Sequence, residues 1–194
     1  MDRGARRGRE RAARWPAVLA VLAGFAAVPA HAADALYGLI VGIDDYLGTV
    51  NDLQGAVNDA AGIAAALRAA GADEVIELHD GQATKAAIRA GWQKLVAKAE
   101  PSDTIVFSYA GHGGQEPEPP GRHGEADGLN ENFLLAGYQG EGPGSLERIV
   151  DDEMYEWLKE ADNKGIEVVL VADSCHSGTM FRSAGSKTIR YRTG

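Results

Sequence analysis

The sequence predicts an α/β fold, a three-layer sandwich on a mostly parallel sheet. Three observations predict it: segments of strand length alternate with segments of helical period, the first strand run is apolar almost without interruption, and 194 residues make one domain of ordinary size. A strand that reads apolar throughout is buried on both faces, so helices must cover the sheet on both sides.

Before the first strand, Arg3, Arg6, Arg7, Arg9, Arg11 and Arg14 precede the uncharged run Ala17 to Val28, then Pro29 and Ala30-His31-Ala32. A basic segment, a short apolar stretch and an A-x-A site predict a signal peptide over residues 1–32, hence a secreted or periplasmic protein. The alternative is an N-terminal membrane anchor, for which the run is short. Cleavage would remove six basic and two acidic residues and carry the formal charge from -9 to about -13. That balance argues against a nucleic-acid partner and suits cations, whether basic peptide segments or metal ions. No apolar run in the mature chain reaches spanning length.

Leu36 to Ile43 is the first predicted strand. Asn58 to Ala70 is Ala-rich with Ile63 and Leu67 four apart, and Gly71 closes it as a helix C-terminus. Glu74 to Leu78 predicts a second strand, and Thr84 to Lys98 a helix with Ile88, Trp92, Leu95 and Val96 on one stripe, stopped before Pro101. Thr104 to Ala110 predicts a third strand, ending at Gly111-His112-Gly113-Gly114. The Pro, Gly and acid content of Gln115 to Asn130 predicts a surface loop, Phe133 to Ala136 a short strand, and Glu141 to Ser145 another loop. Asp151-Asp152-Glu153 opens a helix to about Ala161, its acids at the positive end of the dipole. Glu167 to Ala172 is a fourth strand, ending at Asp173-Ser174-Cys175-His176-Ser177-Gly178, and the tail from Phe181 to Gly194 is polar, basic and aperiodic.

Cys175 is the one cysteine, so it has no intramolecular partner. In an exported chain an odd cysteine is an intermolecular bridge, an inert buried thiol or a reactive one, and the local sequence must decide. In open α/β sheets ligands bind beyond the carboxyl ends of the strands, where His112 and Cys175 both fall. If their strands are neighbours, a spacing of about 5 Å brings the two within reach. An imidazole then raises the thiolate fraction or protonates a leaving amine. Gly111, Gly113 and Gly114 let backbone amides approach a substrate carbonyl, which makes the N–H groups of Gly113 and Cys175 the candidate oxyanion hole. His79 and His123 read as surface residues, and His176, adjacent to Cys175, as the rival base that points elsewhere on its turn.

Ser108-Tyr109-Ala110-Gly111-His112-Gly113-Gly114 followed by Asp173-Ser174-Cys175-His176-Ser177-Gly178 resembles the metacaspases, caspase-related cysteine peptidases of clan CD. Gly55-Ala56-Val57-Asn58-Asp59-Ala60 and Ile149-Val150-Asp151-Asp152-Glu153 resemble two further family segments, so the likeness runs from about Tyr37 to Met180. It implies a caspase-like fold and a p20-like catalytic domain, so the chain divides into the signal peptide read at 1–32, that domain at 33–180 and the basic tail read at 181–194. It also implies that His112 and Cys175 are the dyad, and that Asp59 and Asp173 line the pocket for the residue before the cut. From the residues alone, Asp59 also reads as a helix N-terminal acid and Asp173 as a turn residue. Many family members bind calcium through aspartates, and Asp127, Asp151 and Asp152 resemble three of them. The fourth position is Arg182, whose charge opposes a cation.

Two functions compete on this reading. One is a cysteine endopeptidase cutting protein or peptide substrates after Arg or Lys. The other is a non-catalytic p20-like module that lacks the family's smaller p10 segment and pairs an exposed sheet edge with a p10-like partner. A redox or metal protein is disfavoured, since neither a second cysteine nor a close histidine cluster exists, and no organic cofactor is implied.

Overall fold

Side chains alternate along a strand, which lets one short run serve two helical layers. In Leu36–Gly42 (β1), Tyr37, Leu39 and Val41 join one buried cluster while Ile40, on the opposite face, joins another. The computed structural model describes residues 34–48, 50–119, 128–140 and 142–174. The predicted signal peptide and basic tail lie outside the described residues.

After β1 come Ala56–Ala69 (α1), Glu74–His79 (β2), Lys85–Lys98 (α2), Thr104–Ala110 (β3), Gly113–Pro117 (β4), Leu129–Leu134 (β5), Arg148–Val150 (β6), Asp151–Asp162 (α3) and Glu167–Asp173 (β7). β2, β1, β3 and β7 form a parallel sheet in that order, with Gly42 opposite Ala110 and Ala110 opposite Asp173. Helix α1 covers one face, and α2 and α3 cover the other, giving three layers.

The α1 layer sits close because both sides of the contact are small. Ala56, Ala60 and Ala64 are the buried residues of α1, and a Cβ on Gly42 would fall 2.6 Å from the Ala60 Cβ. The opposite layer is bulkier. Ile88, Trp92, Leu95 and Val96 form the buried stripe of α2, and Trp92 meets Phe107 edge-on at 6.3 Å. Phe107 stacks on Phe133 of β5, and Phe133 stacks on Tyr109 at 4.1 Å. This aromatic chain ties the core to the end of β3.

The loop predicted over Gln115 to Asn130 is corrected at both ends. β4 and β5 pair antiparallel there, and β6 joins β5 to make a second, three-stranded sheet. Composition misleads because β4 is, among the described residues, an edge strand, where Pro117 loses no ladder bond. Its acids are used: Glu116 holds Arg148 with two hydrogen bonds and accepts from the Asn132 amide at 3.1 Å. Among the described residues, no helix is long and apolar enough to cross a membrane.

Candidate active site

Two neighbouring parallel strands deliver the site. The Gly111 N–H donates to the Asp173 carbonyl at 3.2 Å, so the chain leaves β3 into His112 beside the point where it leaves β7 through Ser174. Cys175 follows Ser174 directly in sequence, but Cys175, His176, His123, Asp127 and Arg182 lie outside the described residues.

The main chain of His112 is held at both ends. Its N–H donates to the Tyr46 hydroxyl at 2.8 Å, and its carbonyl accepts from the Leu134 N–H at 3.0 Å and lies 2.8 Å from the Tyr109 hydroxyl. The single Tyr109 hydroxyl proton is shared between that carbonyl and the Leu134 carbonyl, which lies 2.6 Å from the same oxygen. Burial pushes the Tyr109 phenol well above its usual range and raises that of Tyr46, so both stay neutral donors. The imidazole Nε2 stands 2.8 Å from the Asn51 carbonyl oxygen, and the ring lies 5.0 Å from that of Tyr46. A carbonyl only accepts, so Nε2 carries the hydrogen in this contact.

Gly111 is required by this geometry. A Cβ there would stand 2.6 Å from the Tyr109 hydroxyl oxygen and 2.8 Å from that of Tyr46. Neither phenol can retreat without releasing His112. Gly111→Ala is therefore expected to lower stability by about 1–3 kcal/mol, the usual cost of overpacking, measured by urea unfolding. An unchanged unfolding midpoint would contradict the packing described.

The loop between β1 and α1 is fixed by carboxylates that sequence reasoning did not single out. Asp44 accepts from the N–H groups of Ala56 at 2.9 Å and Val57 at 3.3 Å, capping a helix whose own N-cap, Gly55, has no side chain. Asp80, at φ 47°, accepts from the N–H groups of Asp44 at 2.8 Å and Asp45 at 3.0 Å, and Asp52 accepts from Tyr46 N–H at 3.0 Å. The signal available was Asp44-Asp45-Tyr46 just past the carboxyl end of a buried strand. Asn51 acts through its main chain and leaves no such trace.

Asp59 and Asp173 line one pocket of about 260 Å³ with Leu53, Gln54, Gly55 and Gly111. Asp59 is an exposed acid of the first turn of α1, so it is at once a helix-start residue and a pocket wall. Neither carboxylate has an ion-pair partner among the described residues. Gly113 faces Phe133 across the ladder. The bond beside that pair runs from Leu134 N–H to the His112 carbonyl, so the pair is the non-hydrogen-bonded kind and the Gly113 N–H points away from β5. His79 ends β2 at 3.4 Å from Glu77.

Asp151 and Asp152 open α3 directly after β6, with Val150 as the helix N-cap. Burial pushes the Asp151 carboxyl up to about 6, against the opposing pull of the Asp152 and Glu131 N–H groups at 2.7 and 3.3 Å. Asp127, the third residue of the expected calcium set, lies outside the described residues.

A three-layer α/β domain with a histidine and an acid-lined pocket at the carboxyl edge of its sheet defines a class of protein. Residues 37–183 match the family model for the metacaspase, peptidase C14 domain. Metacaspase-1 of Saccharomyces cerevisiae is 34% identical over 151 residues, covering 73% of this chain and 33% of that protein. Metacaspase-1 of Mycosarcoma maydis is 35% identical over 149 residues, covering 73% and 35% respectively. A crystal structure of a Geobacter sulfurreducens protein superposes with a TM-score of 0.60 at 28% identity, covering 75% of this chain and 52% of that one. The chain belongs to the metacaspase family of peptidases, with its caspase-like fold, and spans about a third of the length of these curated relatives.

Proposed function

We propose that this domain is a cysteine endopeptidase cutting after Arg or Lys, with Cys175 as nucleophile and His112 as its acid-base partner. The observation that carries the reading is the shared exit of β3 and β7, tied by the Gly111 to Asp173 hydrogen bond, with His112 one residue past it and Cys175 two. His112, its Nε2–H engaged by Asn51, takes the thiol proton on Nδ1. The thiolate sulfur bonds the substrate carbonyl carbon, and the oxygen that becomes charged turns to the amides of Gly113 and Cys175. The C–N bond then breaks as His112 returns the proton to the leaving amine. Water, deprotonated by His112, splits the thioester and regenerates the thiol. Asp59 and Asp173 hold the cationic side chain before the cut.

The test uses the full chain with fluorogenic peptides ending in Arg, Lys, Asp and Leu, and Cys175→Ala as the blank. Turnover of Arg and Lys peptides by the wild type alone is expected. No turnover of any peptide would overturn the reading in favour of the second one, a p20-like module. That alternative is favoured by β7, which is a sheet edge among the described residues with Val169 and Val171 half-buried, so a p10-like strand could add to it. We read residues 1–32 as an export signal, which places the domain in the periplasm or outside the cell.

Calcium is proposed only as a weak modulator. Among the described residues no three His, Cys, Asp or Glu side chains converge on a cation, and both Asp151 oxygens already accept backbone N–H groups. The described residues alone therefore do not fit a calcium cage of six or more oxygens. Titration calorimetry is expected to find millimolar binding at best, lost in Asp152→Ala. It should tighten as pH rises through about 6, because Asp151 must shed its proton to act as a ligand. Micromolar binding indifferent to Asp152→Ala would rule out this placement.

A further inference from the structure

We propose that Tyr46 is a positioning residue for His112, fixing the imidazole through its hydroxyl and its ring without touching substrate. The inference rests on reading His112 as the base. Three contacts on His112 come from one loop: the Tyr46 hydroxyl on the main-chain N–H at 2.8 Å, the Tyr46 ring 5.0 Å from the imidazole, and the Asn51 carbonyl on Nε2 at 2.8 Å. Asp52, next to Asn51, accepts from the Tyr46 N–H at 3.0 Å, so the loop closes on itself and its grips move together.

The Tyr46 hydroxyl is the part of this clamp that nothing else can replace. Gly111 and His112 have left β3, so the His112 N–H has no ladder partner on that side and takes a side-chain oxygen instead. The oxygen is itself fixed, since Tyr46 is 7% exposed and its hydroxyl donates to the Leu134 carbonyl at 3.4 Å, the carbonyl that the fully buried Tyr109 also holds. Tyr109 in turn holds the His112 carbonyl. Removing the hydroxyl leaves the N–H unpaired and frees the peptide to rotate, and with it the direction of Nδ1. A displacement of about 1 Å in a base costs up to 10²-fold in rate, although the ring and the fold persist.

The readout is the alkylation of the one cysteine by iodoacetamide against pH, which reports thiolate and needs no peptide turnover. Wild type, His112→Ala, Tyr46→Phe, Asp52→Ala and Ile88→Val are compared as full chains. Ile88 is fully buried in α2 and reports destabilisation alone. His112→Ala is expected to move the profile toward that of a free thiol. Tyr46→Phe should follow it, cutting the rate at pH 6.5 by about tenfold, while Ile88→Val leaves the profile in place. Asp52 is exposed, so Asp52→Ala keeps its fold and should shift the profile in the same direction, deciding the matter if Tyr46→Phe does not fold. Loop-variant profiles that overlay the wild type while His112→Ala is displaced would overturn the inference alone. A His112→Ala profile that overlays the wild type would overturn the dyad and the inference together.

Discussion

His112→Ala is expected to lower kcat for an Arg-ending peptide by about 10³-fold or more, with KM within a few-fold of the wild type. The size follows from two tasks lost together, ionising the thiol and protonating the amine, each of which belongs to the transition state and neither to the bound substrate. A thiol without its partner ionises near 8.5, so the residual rate of the variant should climb between about pH 7 and 9. Added imidazole should restore part of it, because the cavity left by the side chain lies between the Tyr46 ring and the Asn51 carbonyl, which still orient a free ring. Rescue separates a missing base from a damaged fold. A kcat reduced less than tenfold, or a loss that imidazole does not touch at any pH, would remove His112 from the chemistry.

The legible part of this structure was the part whose burial is enforced by sequence period. Thr104–Ala110 emerges as a strand with the predicted bounds, and the α2 stripe of Ile88, Trp92, Leu95 and Val96 lies buried as its spacing requires. Both depend on apolar side chains facing a core, which composition records directly. β4 was not legible because Gly113-Gly114-Gln115-Glu116-Pro117 is held by cross-strand polar contacts with Arg148 and Asn132, far away in sequence. β6 is three residues long, too short for any period to register. In the site, His112 carried its signal in the glycines around it. Its supports did not: the Asn51 contact is main chain, and Asp80 reaches the Asp44 and Asp45 amides across 36 and 35 residues. Side chains that act on the substrate are constrained in type, whereas groups that hold them need only an oxygen in the right place.

Asp173→Ala and Asp59→Ala are each expected to cut kcat/KM for Arg peptides by roughly 10²-fold, and the double variant to lose the preference for basic residues altogether. Cysteine-histidine chemistry is indifferent to the side chain before the cut, so selectivity must come from the pocket. Here two carboxylates from different elements, one at the end of β7 and one in the first turn of α1, share a pocket of about 260 Å³ with no cation beside them among the described residues. An entering guanidinium gains charge-assisted hydrogen bonds to the acids, whereas an aspartate adds a third negative charge. The two losses need not be equal. Asp173 is half-buried and held by the Gly111 to Asp173 backbone bond, while Asp59 is exposed on its helix, so Asp173→Ala should be the more damaging. Arg should also outrank Lys, since a planar fork can bridge both acids while an ammonium is a point charge. The measurement is kcat/KM for Arg, Lys, Leu and Asp peptides on each variant, at two ionic strengths. Asp59→Ala and Asp173→Ala that leave the Arg to Leu ratio unchanged, or cleavage after Asp exceeding cleavage after Arg in the wild type, would refute the assignment of this pocket.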